Sequence, residues 1–159
     1  MPAMPNVLQM MRTLEVRPSL PTVEGVKLRS FSAPADVEAW LQLRQKAFAD
    51  ESPAPRPWTP ADFEREVLSK PWYNPTGIWL VESTNLIGSV ILARRADNRP
   101  AVNWLMVDPA ERGRGIGGLL LAALELAVWE EGGREVVLET HAHWTRGVKF
   151  YRSRGYTGR

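Results

Sequence analysis

The stretch that most constrains this chain covers residues 102–120, where an apolar run leads through a glycine-rich turn into an amphipathic helix. Residues 102–107 (VNWLMV) predict a buried strand. The segment 112–118 (RGRGIGG) then opens a helix, whose apolar residues recur at helical spacing over 116–128. This order of strand, glycine-rich turn and helix is typical of a phosphate-binding site.

The turn has the chemistry that a pyrophosphate requires. The first N–H groups of a helix have no partner within the helix, and the helix dipole places partial positive charge there. Glycine allows the main chain to approach an anion closely, and two arginines add formal charge. We therefore expect the pyrophosphate to be held by Arg112, Gly113, Arg114, Gly115, Ile116, Gly117 and Gly118.

One alternative ligand is a dinucleotide. Gly113, Gly115 and Gly118 satisfy the fingerprint GxGxxG. Glu139 follows the next apolar run, where a ribose-binding acid belongs. However, five residues separate the end of the strand at Val107 from Gly113, and the remaining chain leaves no room for a second nucleotide-binding half. A dinucleotide-dependent oxidoreductase is therefore the less favoured interpretation.

The segment 102–156 resembles the GCN5-related N-acetyltransferase (GNAT) family. Residues 112–117 (RGRGIG) are similar to its acetyl-CoA signature, Q/R-x-x-G-x-G/A, and residues 151–156 (YRSRGY) are similar to its Tyr-x-x-x-Gly-Phe ending. Earlier segments resemble the acetyltransferase half of the mycothiol synthases; these are AWL at 39–41, AFA at 47–49, WT at 58–59 and PWYNPTG at 71–77.

The periodicities and the resemblance predict an α/β (α+β) fold with a mixed, mostly antiparallel sheet and about four helices, in the order β-α-α-β-β-β-α-β-α. We expect a flexible arm over residues 1–21 and one GNAT-like domain over 22–159. The sequence stops where a sixth strand would begin. The C-terminal strands are therefore expected to be short, missing, or replaced by the arm or by a partner chain.

The resemblance also implies a chemistry, in which an acetyl group moves from acetyl-CoA to a primary amine of a small molecule or peptide. It implies that the main chain of Leu105, Met106 and Val107 pairs with the pantetheine arm and faces the thioester oxygen. Tyr151 aligns with the tyrosine that protonates the coenzyme A thiolate, and a neutral phenol is a suitable donor at pH 7. Trp144 replaces the family's usual asparagine and is expected to contact the coenzyme.

The general base is less clearly marked. The family often has a glutamate where this chain has Ala101 and Val102. The remaining candidates, with the first taken as the catalytic prediction, are Glu139, His141, His143 and Glu82. The missing glutamate, the substituted asparagine and the short C-terminus keep open a further alternative, a non-catalytic domain that binds acyl-CoA.

The composition of the chain excludes several kinds of protein and of binding site. The 159 residues contain 44% hydrophobic and 24% charged side chains, as in an ordinary globular protein, and no cysteine, which excludes disulfides and thiolate metal sites. No metal site is predicted. The net charge is +2, and the sequence has no stripe of basic residues interleaved with aromatic ones, so no nucleic-acid partner is expected. The absence of a long apolar run or a leader pattern predicts a cytoplasmic protein without a membrane partner. An unpaired sheet edge would favour a homodimer.

Overall fold

The computed structural model describes residues 6–158 and contains one seven-stranded sheet with helices packed against its two faces. The strands are β1 (Val7–Thr13), β2 (Lys27–Ser30), β3 (Ile78–Glu82), β4 (Leu86–Arg94), β5 (Pro100–Val107), β6 (Glu135–His141) and β7 (Thr157–Gly158). The helices are α1 (Val37–Ala47), α2 (Pro60–Phe63, continued by the π-helical turn Glu64–Leu68), α3 (Ile116–Glu130) and α4 (Thr145–Ser153). Among residues 6–158, no helix has both the length and the apolar character needed to cross a membrane.

The strand order is β2-β3-β4-β5-β6-β1-β7. Neighbouring strands are antiparallel except β5 and β6, which are joined through α3 and run parallel. This confirms the predicted mixed α+β fold and the predicted order of nine elements, to which the structure adds β1 and β7. As expected, the C-terminal strand is short: β7 has two residues, which pair with Met10 and Met11.

Residues 7–13 belong to the sheet, so the predicted flexible arm over residues 1–21 is wrong for this segment. β1 pairs with β6 along its whole length, from Val7 opposite His141 to Thr13 opposite Glu135. This pairing satisfies main-chain groups of β6 that would otherwise form an exposed edge. The side chain of Met10 is also fully buried in the core. Residues 1–5 lie outside the described residues.

A buried ionic group ties β1 to the opposite end of the chain. The carboxylate of Glu125 on α3 is almost fully buried, and it accepts hydrogen bonds from Arg12 Nη1 at 2.9 Å and from the Tyr156 hydroxyl at 2.8 Å. A buried carboxylate is stable only when its oxygens are paired in this way. The group therefore fixes β1, α3 and the C-terminal residues relative to one another.

β4 is buried between helices on both faces of the sheet. Val90 joins the apolar cluster around α3, whereas Ile91 joins the cluster around α1 and α2. On the α3 side the approach is close: a Cβ at Gly88 would lie 2.8 Å from Ile116 Cγ2 and 3.0 Å from Leu120 Cδ1. The absence of a side chain at Gly88 thus sets the position of α3, whose first turn forms part of the site described below.

We expect Gly88→Ala to lower the free energy of unfolding by about 1–3 kcal/mol, because the added methyl group overpacks the contact between β4 and α3. Gly147→Ala in α4 is the control, since a Cβ at that position would extend into open space. That change should leave stability unchanged or raise it by up to about 1 kcal/mol through helix propensity. Urea denaturation measures both, and equal stability of the two variants would contradict the close approach.

Candidate active site

The site begins where β5 and β6 separate. These two strands pair only near their starts, with Ala101 opposite Val137 and Val102 opposite Leu138. Beyond this point β5 remains paired with β4, while β6 remains paired with β1. The main chain of residues 105–107 therefore has a strand neighbour on one side only, and its other side faces the gap between the strands.

A bulge in β5 contributes to this separation. Ser89 lies opposite Met106, and Ile91 lies opposite Asn103. Two residues of β5, Trp104 and Leu105, therefore face the single β4 residue that lies between Ser89 and Ile91. Trp104 has a φ of +50°, in the left-handed region that residues other than glycine rarely adopt. Such a conformation costs about 1–3 kcal/mol and persists only where the surroundings impose it. Bulges also redirect a strand, so this one turns β5 at the edge of the gap.

A cavity of about 410 Å³ lies between the end of β5, the start of α3 and one face of α4. It brings together ten of the eleven residues predicted to hold the coenzyme: Leu105, Met106, Val107, Arg112, Gly113, Gly115, Ile116, Gly117, Gly118 and Trp144. Arg114 is the exception. It does not line the cavity, and its guanidinium donates to the carbonyl oxygen of Glu24 at 3.0 Å and to the carboxylate of Glu111, which does line it.

The glycine-rich turn leaves the first amides of α3 uncapped. Gly113 and Gly115 have φ values of +86° and +87°, which glycine adopts without strain. Gly115 is the N-cap residue and has no side chain with which to cap the helix. The N–H groups at the start of α3 are consequently available to an anion, as the sequence predicts. Gly117 also keeps the cavity open, because a Cβ there would lie 3.3 Å from the ring of Phe150.

Two further arginines line this cavity that sequence reasoning missed, Arg146 on α4 and Arg154, the C-cap residue that ends this helix. Arg154 reaches the start of α3, since a Cβ at Gly118 would clash with its guanidinium. Arg146 pairs with Asp50 at 3.3 Å and with Glu51 at 3.4 Å. The spacing of the α4 residues in the cavity wall, at 146, 147, 150, 151 and 154, defines one helix face, and this is the sequence signal that could have identified both arginines.

Arg112, which the sequence analysis did identify, points away from α3 towards the end of α1. Its Nη2 donates to the carbonyl oxygen of Ala47 at 2.8 Å, and its Nη1 lies 3.6 Å from the carboxylate of Asp50. The pairs formed by Asp50 are solvent-exposed and therefore contribute little stability. An anionic ligand in the cavity can compete with them for the arginines.

A second cavity of about 380 Å³ lies on the other side of the gap. Five residues line both cavities and so form their junction: Phe48, Leu105, Trp144, Gly147 and Tyr151. Tyr151, the predicted proton donor, is half-buried here, and burial raises the pKa of its phenol above the ordinary value. The phenol is therefore neutral and protonated at pH 7.

Two of the four predicted base candidates line the second cavity, and two do not. Glu139 and His141 line it, whereas Glu82 and His143 lie in the wall of neither cavity. Glu82 pairs instead with Arg29, 3.1 Å away at the far edge of the sheet. The carboxylate of Glu139 is exposed and accepts a hydrogen bond from Gln9 of β1. Within residues 6–158, no three His, Asp or Glu side chains are grouped so that they could hold a metal ion.

Trp144 forms the wall between the cavities. Its indole stacks on Phe48 with ring centres 5.1 Å apart, and its Nε1 donates to the carbonyl oxygen of Pro53 at 3.3 Å. Both contacts connect the start of α4 to the α1–α2 loop. Trp144 thus lines both cavities beside Tyr151, and its predicted contact with the coenzyme stays a prediction.

Diverging parallel strands beside an uncapped, glycine-rich helix start are the arrangement expected of a transferase that uses an acyl-coenzyme A. Residues 37–156 match the profile described as "Acetyltransferase (GNAT) family". Because this match covers most of the chain, the protein belongs to that family.

Similar proteins agree with this assignment. A mycothiol acetyltransferase of Thermobispora bispora is 37% identical over 147 residues, which cover 88% of this chain and 48% of that protein. One of Thermomonospora curvata is 33% identical over 155 residues, covering 95% and 51%. The chain thus spans about half the length of these relatives.

Solved structures show the same fold. A GCN5-related N-acetyltransferase of Sphaerobacter thermophilus superimposes with a TM-score of 0.78 at 25% identity, covering 96% of this chain and 48% of that one. The ribosomal-protein-S18-alanine N-acetyltransferase of Escherichia coli superimposes with a TM-score of 0.65 at 21% identity, covering 82% and 76%. The second likeness shows the fold alone.

Gly117→Glu should weaken acetyl-CoA binding by at least about 100-fold, because it places bulk against Phe150 and negative charge where the pyrophosphate is expected. The control is Ala110→Glu, which adds the same charge on an exposed turn close to the cavity but outside its wall. Calorimetry compares the two variants with the parent protein. Normal binding by Gly117→Glu would refute the assignment of the anion site.

Proposed function

We propose that this chain is an acetyl-CoA-dependent N-acetyltransferase acting on a primary amine of a small molecule or peptide. The observation that carries the proposal is the pair of cavities that meet beside Leu105 and Tyr151, at the point where β5 leaves β6. One cavity has the donors that a coenzyme needs. The other provides a separate approach for an acceptor.

The first cavity fits the coenzyme on two grounds. Its helix start offers uncapped amides, and Arg146 and Arg154 add positive charge that suits phosphate groups. The exposed main chain of residues 105–107 offers hydrogen-bond partners to the amide groups of a pantetheine arm. Acetyl-CoA, when bound, supplies a thioester whose carbonyl carbon is open to attack by a nucleophile.

The residues at the junction suit the proton movements of such a transfer. The amine nitrogen forms a bond to the acetyl carbon as the carbon–sulfur bond breaks, and the amide product is left after the amine loses a proton. The proposed acceptor of that proton is Glu139 or His141, acting directly or through water, and the position of both in the wall of the second cavity supports this role. Tyr151 donates a hydrogen bond and then a proton to the departing thiolate, and an amide of Leu105 or Met106 stabilises the developing oxyanion.

The acceptor is proposed only as a class. The curated relatives are named mycothiol acetyltransferases, so the desacetyl form of mycothiol is the first acceptor to assay, beside other primary amines. The second cavity has mixed walls, with apolar Phe48 and Trp104 and polar Asn103 and Glu139. This lining favours an acceptor with both apolar and hydrogen-bonding groups.

Replacing Tyr151 with Phe should lower kcat for acetyl transfer by about 100-fold or more, since the thiolate then leaves without a proton donor. The Kd for acetyl-CoA should stay within about threefold of the parent value, because the ring remains. Tyr73→Phe is the control, as Tyr73 lines neither cavity. An unchanged kcat would remove Tyr151 from the mechanism, and tight binding without any turnover would support a non-catalytic acyl-CoA-binding domain.

The pH dependence provides a separate test of the same residue. Burial raises the pKa of the Tyr151 phenol, so its protonated form is present at all lower pH values and is lost only as the pH rises through the raised pKa. The ratio of parent to Tyr151→Phe activity should therefore stay constant from about pH 7 to 10. A ratio that decreases as the pH rises from about 7 to 10 would contradict the raised pKa of this phenol.

A further inference from the structure

Arg44 of α1 is buried against two tryptophans. Only 4% of this residue is exposed, and its guanidinium carbon lies 4.1 Å from the ring centre of Trp58 and 4.3 Å from that of Trp104. Its Nη1 donates to the carbonyl oxygen of Arg56 at 2.8 Å, whereas its Nε has no partner. The cation therefore contacts both indole rings, which stand at 73° to each other.

This arginine has no carboxylate partner among residues 6–158. The nearby acid, Asp62, is committed elsewhere, to Arg56 at 3.1 Å and to Arg65 at 2.7 Å. Burial lowers the pKa of the Arg44 guanidinium to about 10, which leaves it charged at neutral pH. A buried cation held only by aromatic faces and one carbonyl oxygen is unfavourable unless those contacts are strong. Core packing alone would be satisfied by an apolar side chain.

One of the two tryptophans that Arg44 contacts, Trp104, is the strained residue of β5. Its φ of +50° persists only if its surroundings constrain it, and contacts to its indole ring can supply that constraint. Arg44 lies on the ring, Trp58 meets its edge with centres 5.1 Å apart, and Phe48 meets it with centres 5.7 Å apart. The flat cation thus packs into the angle formed by the nearly perpendicular rings of Trp58 and Trp104, which also contact each other.

We infer that Arg44 is a positioning residue, which stacks on Trp104 to hold the bulge of β5 and thereby fixes the main chain of Leu105 and Met106 between the two cavities. The structural half of this inference concerns the bulge alone. The catalytic half rests on the proposed function, because it assigns those amides to the thioester oxygen.

The structural half is tested by amide hydrogen exchange over residues 103–107 in Arg44→Met. Exchange there should rise by about tenfold or more, because the stacking that constrains Trp104 is lost. Leu43→Ala is the matched control, since Leu43 is buried on the same helix but lies in the wall of neither cavity. It should destabilise the protein without a selective change at 103–107. Equal changes in both variants would reduce Arg44 to a general packing role and overturn the inference.

Trp104→Gly tests whether Arg44 acts through the indole. Glycine adopts a φ of +50° freely, so the bulge persists without a ring on which to stack. Adding Arg44→Met to Trp104→Gly should then change exchange at 105–107 by less than about threefold, whereas effects that simply add would contradict the inference. If Arg44→Met does not fold, Arg44→Lys replaces it in both experiments, since lysine keeps the charge but loses the flat stacking surface.

The catalytic half is tested with the same variants and acetyl-CoA. In Arg44→Met and Arg44→Lys, kcat should fall by about tenfold while the Kd for acetyl-CoA stays within about threefold, because the helix start that binds phosphate is untouched. Leu43→Ala should keep kcat. A kcat equal to that of the parent in a folded Arg44 variant would overturn the catalytic half. A parent protein that acetylates no amine would refute the proposed function instead, and hydrogen exchange would still decide the structural half.

Discussion

The separation of β5 from β6 is the constraint on which the rest of the structure depends. Strands in a sheet normally satisfy one another's main-chain groups, and a gap at the centre of a sheet leaves one row without partners. Here that row is residues 105–107, held from the other side by β4 alone. β1 secures β6 at the same time, so the gap can open without loosening the sheet. The site is the space that this separation creates.

Electrostatics complement this geometry. The start of α3 contributes partial positive charge, and Arg146 of α4 and Arg154 at its C-cap contribute formal charge from a single face. Asp50 and Glu51, on the loop after α1, pair with the arginines at the rim of the cavity. The loop after α1 is therefore connected through exchangeable ion pairs to the cavity proposed for the coenzyme, which Glu51 also lines. A phosphate ligand bound there would change the ion-pair partners of the loop and of the arginines.

The sequence was most informative where function depends on local main chain. The helix start at Gly115 is set by residues adjacent in sequence, so its uncapped amides could be predicted, as could the order of strands and helices. Sequence analysis offered a sheet role for the arm only as one alternative, because the pairing of β1 with β6 joins residues more than 100 positions apart. The contact of Arg44 with Trp104 is also long-range, across 60 positions, and no sequence pattern predicts a left-handed φ at a tryptophan. Arg114, an obvious candidate by composition, is absent from the cavity wall and is held instead by Glu24 and Glu111.

The most direct test of this account is calorimetric titration of the parent protein with acetyl-CoA, with NADH as the comparison ligand. We expect saturable binding of acetyl-CoA with a Kd on the order of micromolar and no measurable binding of NADH. Failure of the folded protein to bind acetyl-CoA, or preferential binding of NADH, would contradict the assignment of the cavity beside α3.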